Sequence, residues 1–276
     1  MVKILDGVAT SQPLREQVAR GVVEMWENHG VTPGLAAVLV GDNPASAVYV
    51  RNKERACLEV GIASQVFRLS QDTHESGLME LVWRLNGAQN IHGILVQLPL
   101  PKHINERNIL EALDPAKDVD GVHPMNMGKL VSGSPLYVPC TPSGIQRLLL
   151  HNGYDPAGKR VIICGRSQIV GIPLSILLMQ KSAGADATVT VCHTSTPDIA
   201  RITREADILI AAMGHPGLIT GDAVKDGAVV VDVGVNRVPD ETRAKGYRIQ
   251  GDVDFDEVSK KAEAISPVPG GVGPMT

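Results

Sequence analysis

The segment Val161-Ile162-Ile163-Cys164-Gly165-Arg166-Ser167-Gln168-Ile169-Val170-Gly171-Ile172-Pro173 constrains the fold more than any other part of the chain. An apolar strand runs directly into a glycine-bounded loop, and a helix is expected from about Ile172. A dinucleotide-binding domain offers backbone N–H groups to a pyrophosphate in this way. The register is Gly165-x-Ser167-x-x-x-Gly171, so the middle glycine of the usual G-x-G-x-x-G is a serine and the last comes one residue late. As a bare pattern it also fits an ordinary βα turn whose glycines only ease helix packing. The flanking strand and helix, and a further strand about 20 residues on, favour the nucleotide reading. The loop lies past the midpoint of 276 residues, so the residues before it are expected to carry the substrate and the chemistry.

The length fits about two domains. In the first half a helix is predicted over Ser11–His29, with Ser11 as its cap and Pro13 in its first turn. The unbroken apolar run Gly34–Gly41 predicts a strand buried on both faces. A helix over Ser46–Val60, a strand near Gln65–Leu69, a helix near Ser76–Leu85 and a strand at Gly93–Gln97 continue the alternation. Asn105–Leu113 reads as helical and Asp114–Pro139 as loops, and Thr141-Pro142 opens a helix reaching about His151. The second half predicts strands at Val161–Cys164, Ala187–Cys192, Ile208–Ala212 and Ala228–Val233, with helices starting near Ile172, Thr196 and Asp222. Such βαβα order implies an α/β fold with parallel sheets.

Charged residues make up 20% and the formal charge is −4, with no basic run interleaved with aromatics, so nucleic acid is not an expected partner. Cys57, Cys140, Cys164 and Cys192 are widely and irregularly spaced, which predicts neither a disulfide framework nor a metal site. They read as small buried hydrophobes in a reducing, cytoplasmic setting. No signal peptide and no apolar run of about 18 residues is found, so no membrane partner is expected.

Cofactor type is read at the end of the second strand of the nucleotide domain. NAD sites often place a carboxylate there; this chain has Val191-Cys192-His193-Thr194-Ser195, and Arg166 is free to meet a 2′-phosphate, so NADP is favoured. Tyr49 and Lys53 are four apart and project from one helix face. They form either a proton-transfer pair or an amphipathic stripe with a snorkelling lysine. Short-chain reductases carry a similar pair, but after their glycine loop rather than before it. Gln97, followed by Leu98-Pro99-Leu100-Pro101, sits where a buried strand leaves its sheet, the side on which open α/β sheets bind ligands. Lys117-Asp118-Val119-Asp120-Gly121 is either a surface turn or part of that site.

Taken together, these motifs resemble the bifunctional methylenetetrahydrofolate dehydrogenase/methenyltetrahydrofolate cyclohydrolase family. The resemblance rests on Val40–Ser46 with Tyr49 and Lys53, on Gly93–Pro101, on Lys117–Gly121 and on Pro139-Cys140-Thr141-Pro142. It continues through Gly165-Arg166-Ser167 with Val170-Gly171, Asp232-Val233-Gly234 and Pro267–Thr276. It implies two three-layer α/β domains, the second a Rossmann-like NADP-binding domain, with the active site in the interdomain cleft. The first domain is expected over 1–139, with 266–276 returning to it, and the second over 140–265. The implied reaction oxidises 5,10-methylenetetrahydrofolate with NADP+ and hydrolyses the methenyl product to 10-formyltetrahydrofolate.

The resemblance makes Lys53 the proton-transfer group, with Gln97 holding it by a hydrogen bond. Tyr49 stacks on the folate rings and Asp120 accepts from pterin N–H groups. Ser46, Pro269 and Gly270 join them as substrate contacts, with helix capping an equal account of Ser46. Gly165, Arg166, Ser167, Val170, Gly171, Thr194, Gly214 and Val235 are the implied cofactor contacts. Thr194 stands where many members have serine, and His215 where they often have Lys, Arg or Gln. The family also implies a homodimer formed through the nucleotide domain and a further helix beyond Pro-Met-Thr, where this sequence ends. A folate- or nucleotide-binding protein without turnover and an unrelated NADP reductase are the competing readings.

Overall fold

The apolar runs become parallel strands in the computed structural model, which describes residues 2–243 and 245–276, with Ala45 described by its backbone alone. The chain opens with β1 (Lys3–Ile4) and α1 (Gly7–His29). It continues with β2 (Gly34–Val40), α2 (Pro44–Glu59), β3 (Ala63–Leu69), α3 (Glu75–Gly87), β4 (Gly93–Val96), α4 (Glu106–Glu111) and α5 (Pro124–Val131). Next come α6 (Cys140–His151), β5 (Arg160–Cys164), α7 (Gly171–Met179), β6 (Thr188–Cys192), α8 (Ile199–Thr203), β7 (Ile208–Ala211) and β8 (Val229–Asp232). An antiparallel hairpin of β9 (Asn236–Pro239) and β10 (Tyr247–Gln250), then α9 (Phe255–Val258) and β11 (Ala264–Ile265), complete it. Two compact units result, one of residues 13–137 and one of residues 1–12 with 138–276.

The unit of residues 13–137 is built on a parallel sheet in the order β3-β2-β4. Its central strand is the unbroken apolar run, as burial on both faces requires. One face packs Ala36, Val38, Ile94 and Val96 against Leu78, Leu81, Val82 and Leu85 of α3. The other packs Ala37, Leu39 and Leu95 against Val50 of α2. Three layers follow, as expected.

The other unit has six parallel strands in the order β1-β11-β8-β7-β5-β6. Alternate residues of β5 and β7 face opposite layers. Val161, Ile163, Ile208 and Ile210 meet Ile145, Leu148 and Leu149 of α6 and Leu174 and Leu178 of α7, while Ile162, Cys164, Leu209 and Ala211 meet Val224 and Val258. The chain leaves β5 for β6 and then returns on the far side of β5 as β7. That reversal is the point where open α/β sheets bind ligands.

Several local expectations are corrected. Helix α1 starts at Gly7, because the Asp6 carboxylate accepts from Val8 N at 2.8 Å and Ala9 N at 3.0 Å; Ser11 instead donates back to the Val8 carbonyl. Residues 114–139 are not all loop: Pro124, in the first turn behind an N-capping His123, starts α5. The helix expected to open at Thr141-Pro142 begins one residue earlier, at Cys140, with Pro139 at its N-cap position. Near Asp222 only a single 3-10 turn forms, over Gly221–Ala223.

The expected domain limits of 1–139 with 266–276, and 140–265, also change. Lys3 and Ile4 pair in parallel with Ala264 and Ile265, and Leu5 N donates to the Ile265 carbonyl at 2.9 Å. Gly7 N donates to the Gly270 carbonyl at 2.9 Å, and Met275 lies so close to Gly144 of α6 that a side chain there would crowd it. Both chain ends thus complete the unit that carries the glycine loop. Among the described residues no helix is long and apolar enough to cross a membrane.

Candidate active site

In the unit of residues 13–137, Asn43 and not Ser46 caps α2, its side chain accepting from Ser46 N at 3.3 Å. Ser46 is itself buried in the first turn. Val50 anchors α2 to the sheet, so Tyr49 and Lys53 lie on one flank of that anchored stripe. Tyr49 is 41% exposed, and partial burial pushes its phenol above the ordinary value.

Gln97 follows β4 directly, its N–H donating to the Val38 carbonyl at 2.9 Å. The side-chain amide donates to the Leu98 carbonyl at 2.8 Å, while its buried Oε1 has no hydrogen-bond partner. A buried acceptor without a donor is costly. This one stands at the carboxyl end of the sheet, and the hydrogen bond expected between Gln97 and Lys53 is not formed in the structure.

The segment carrying Asp120 runs beside β4. Ile94 pairs with Asp118 in a parallel bridge, and Ile94 N donates to the Lys117 carbonyl at 2.7 Å. Its acidic residues divide their work. Asp118 is fully buried and accepts from His123 N and Asn126 Nδ2, each at 2.8 Å, which fixes the following turn. Asp120 stays half-buried beyond it. Lys117 caps α3, its ammonium donating to the carbonyls of Asn86 at 2.7 Å and Ala88 at 2.8 Å. The sequence reading assigned neither Lys117 nor Asp118 a role.

In the other unit the loop after β5 is held at the switch point by Gly165 N donating to the Cys192 carbonyl at 2.8 Å and Ala212 N to the Cys164 carbonyl at 2.7 Å. Gly165 has φ +131°, and a side chain on it would overlap the Ala212 carbonyl. A side chain on Gly171 would overlap the Gly165 carbonyl. Both glycines are therefore needed for close passage of the loop over the start of α7. The Ser167 hydroxyl accepts from Val170 N at 3.2 Å, and Arg166 and Ser167 are exposed. The open first turn of α7 and the adjacent guanidinium fit an anionic pyrophosphate.

Thr194 and Ser195 lie exposed after β6, in a turn where His193 N donates to the Thr196 hydroxyl at 3.0 Å. Gly214 has φ +69°, and Val235 is exposed beyond β8. Cys164 and Cys192 are fully buried, and burial pushes the Cys164 thiol up to about 12, so it stays protonated and unreactive.

Residues 5–120 match the catalytic domain described as tetrahydrofolate dehydrogenase/cyclohydrolase, and residues 139–276 match the NAD(P)-binding domain of the same family. The chain belongs to the tetrahydrofolate dehydrogenase/cyclohydrolase family. A bifunctional protein FolD from Halobacterium salinarum is 52% identical over all of this chain and 92% of its own length. The bifunctional FolD methylenetetrahydrofolate dehydrogenase/cyclohydrolase of Campylobacter jejuni superposes with a TM-score of 0.92 at 46% identity, covering 100% of this chain and 94% of that one. The Trypanosoma brucei methylenetetrahydrofolate dehydrogenase-cyclohydrolase, complexed with NADP cofactor and inhibitor, gives 0.94 at 40% identity over 99% of this chain and 93% of that one. As a tetrahydrofolate dehydrogenase/cyclohydrolase, the protein is a bifunctional enzyme, as the resemblance implied.

Proposed function

We propose that Tyr49, Lys53, Gln97 and Asp120 carry the folate chemistry and that the Gly165–Gly171 loop holds NADP. The enzyme then oxidises 5,10-methylenetetrahydrofolate to the 5,10-methenyl cation and hydrolyses it to 10-formyltetrahydrofolate. The observation that carries the assignment is the buried, unpartnered Oε1 of Gln97 at the carboxyl end of β4. It calls for a donor, and the Lys53 amine is the group the reading supplies.

When bound, NADP+ provides the ring that accepts the hydride from the bridging carbon. That step needs no protein base, because the folate nitrogens stabilise the cation formed. The chain's part is to hold two rings in register. Tyr49, half-exposed on α2, is assigned to stack on the folate, and the Asp120 carboxylate to accept from pterin N–H groups, since an ionised carboxylate only accepts. Pro269 and Gly270 are assigned to the edge of the folate site, while the burial of Ser46 suits support of the first turn of α2.

In the second step Lys53 takes a proton from the water attacking the methenyl carbon. It returns that proton to the folate nitrogen as the carbon–nitrogen bond opens. The amine acts here through its nitrogen lone pair.

On the nucleotide side Gly165, Ser167, Val170 and Gly171 are assigned to the pyrophosphate, and Gly214 and Val235 to the remainder of the cofactor. Exposed Arg166 and Thr194, with no carboxylate between Cys192 and Thr196, support NADP over NAD. A cytosolic homodimer paired through the nucleotide-binding unit completes the reading. It is supported by the family resemblance.

The test is a single mixture of 5,10-methylenetetrahydrofolate with NADP+ or NAD+. NADPH should form, and methenyl absorbance should then decay faster than without protein. Lys53→Met should slow that decay by about a hundredfold or more while NADPH still forms. Normal decay in the variant removes Lys53 from the proton-transfer role.

A further inference from the structure

Two short runs, Asp232-Val233-Gly234 at the end of β8 and Gly251-Asp252-Val253 after β10, pack into one another. Both carboxylates are buried, with Asp232 4% and Asp252 0% exposed. Each fills the space left by the other run's glycine. A side chain on Gly251 would overlap the Asp232 carboxylate, and one on Gly234 would overlap that of Asp252. Asp232 Oδ1 accepts from Gly234 N and Asp252 N, both at 2.9 Å, and Oδ2 accepts from Val253 N at 3.0 Å.

Asp252, fixed in this way, reaches a third segment. Its Oδ2 accepts from Met213 N at 2.6 Å and Gly214 N at 2.8 Å, and its Oδ1 from Asn236 Nδ2 at 2.8 Å. Two successive N–H groups turned the same way, the second on a residue with φ +69°, make an anion-binding nest. After β7 the chain's own carboxylate fills that nest, so this turn is preformed and its charge already balanced. Hydrogen bonds to a carboxylate are about twice as strong as neutral ones, which suits a loop that must hold its shape without ligand.

We propose that Asp252, seated on Asp232, is a positioning residue for the nicotinamide nucleotide. It locks the Met213–Gly214 turn and, through Asn236, the segment beside Val235, so that the loops after β7 and β8 meet the cofactor already shaped. It touches no ligand and acts through backbone placement alone. This rests on the NADP reading of the Gly165–Gly171 loop and of Gly214.

Asp252→Asn preserves shape but turns an amide donor onto groups that are themselves donors. Asn236→Ala removes only one of the bonds. Initial rates with NADP+ and methylenetetrahydrofolate varied separately would be measured beside hydrolysis of added methenyltetrahydrofolate without nucleotide. KM for NADP+ should rise about tenfold in Asp252→Asn and about threefold in Asn236→Ala, with folate KM and hydrolysis within about twofold of wild type. An unchanged NADP+ KM overturns the proposal, as does a fall in hydrolysis matching that in oxidation. If Asp252→Asn does not fold, Asn236→Ala decides the matter alone. A wild type inactive with both NADP+ and NAD+ defeats instead the cofactor reading beneath it.

Discussion

Asp232 is a carboxylate whose surroundings oppose one another. Burial pushes its pKa from 3.8 to about 6, outweighing the backbone N–H groups of Asp252, Val253 and Gly234 that favour the ionised form; the charge of Asp252 adds to the rise. Because the folded value lies above the unfolded one, the folded state binds the proton more tightly. The resulting stabilisation is complete below about pH 4 and is lost as pH rises through about 6. Asp232→Asn removes this titration. Denaturant unfolding between pH 4 and 7 should show wild type losing up to roughly 3 kcal/mol relative to the variant, since about two pKa units are involved. Parallel pH profiles for the two proteins would show that Asp232 titrates normally in the fold.

At the scale of elements, the turn from β5 to α7 depends on backbone proximity more than on side-chain chemistry. Gly171→Ala places a methyl on the Gly165 carbonyl, which is backbone and cannot swing aside. The loop must shift, with an expected loss of about 1–3 kcal/mol in stability. KM for NADP+ should rise by about tenfold or more, read by steady-state kinetics, since misplaced ligand groups cost roughly that much. Unchanged kinetics in a destabilised variant would separate packing from binding. This element was legible in the sequence because strand, glycine, serine and helix follow one another within a single local unit. So were Tyr49 and Lys53, which helix spacing alone puts on one flank of α2, and Gln97 at the end of an apolar strand. Features that depend on distant partners were not legible. Helix α5 lay hidden in a stretch rich in glycine, proline, asparagine and aspartate, and its start is fixed by His123 held over Asp118. The burial of Asp118 beside a half-buried Asp120 goes with a bridge to Ile94, a residue more than twenty positions away.

At the scale of the whole molecule, the first strand, β1, and the last, β11, pair in the same sheet, and residues 13–137 are inserted between β1 and the rest of that sheet. No periodicity could reveal this, because β1 is only two residues long. Its anchor is Leu5, fully buried among Val161, Ile163, Ile210 and Val231, which lie far along the sequence. Leu5→Ala should therefore destabilise the protein by about 2–4 kcal/mol, the range for a large-to-small change in a packed core. The loss belongs to the six-stranded sheet. Hydrogen exchange should speed up at amides of β5, β8 and β11 and stay near wild type at β2 and β4. NADP+ should recover part of the lost stability, by about 2.7 kcal/mol at a hundredfold excess over its Kd, because it binds only the folded form. Faster exchange confined to β2–β4 would instead assign the first residues to the catalytic unit, as the sequence alone had implied.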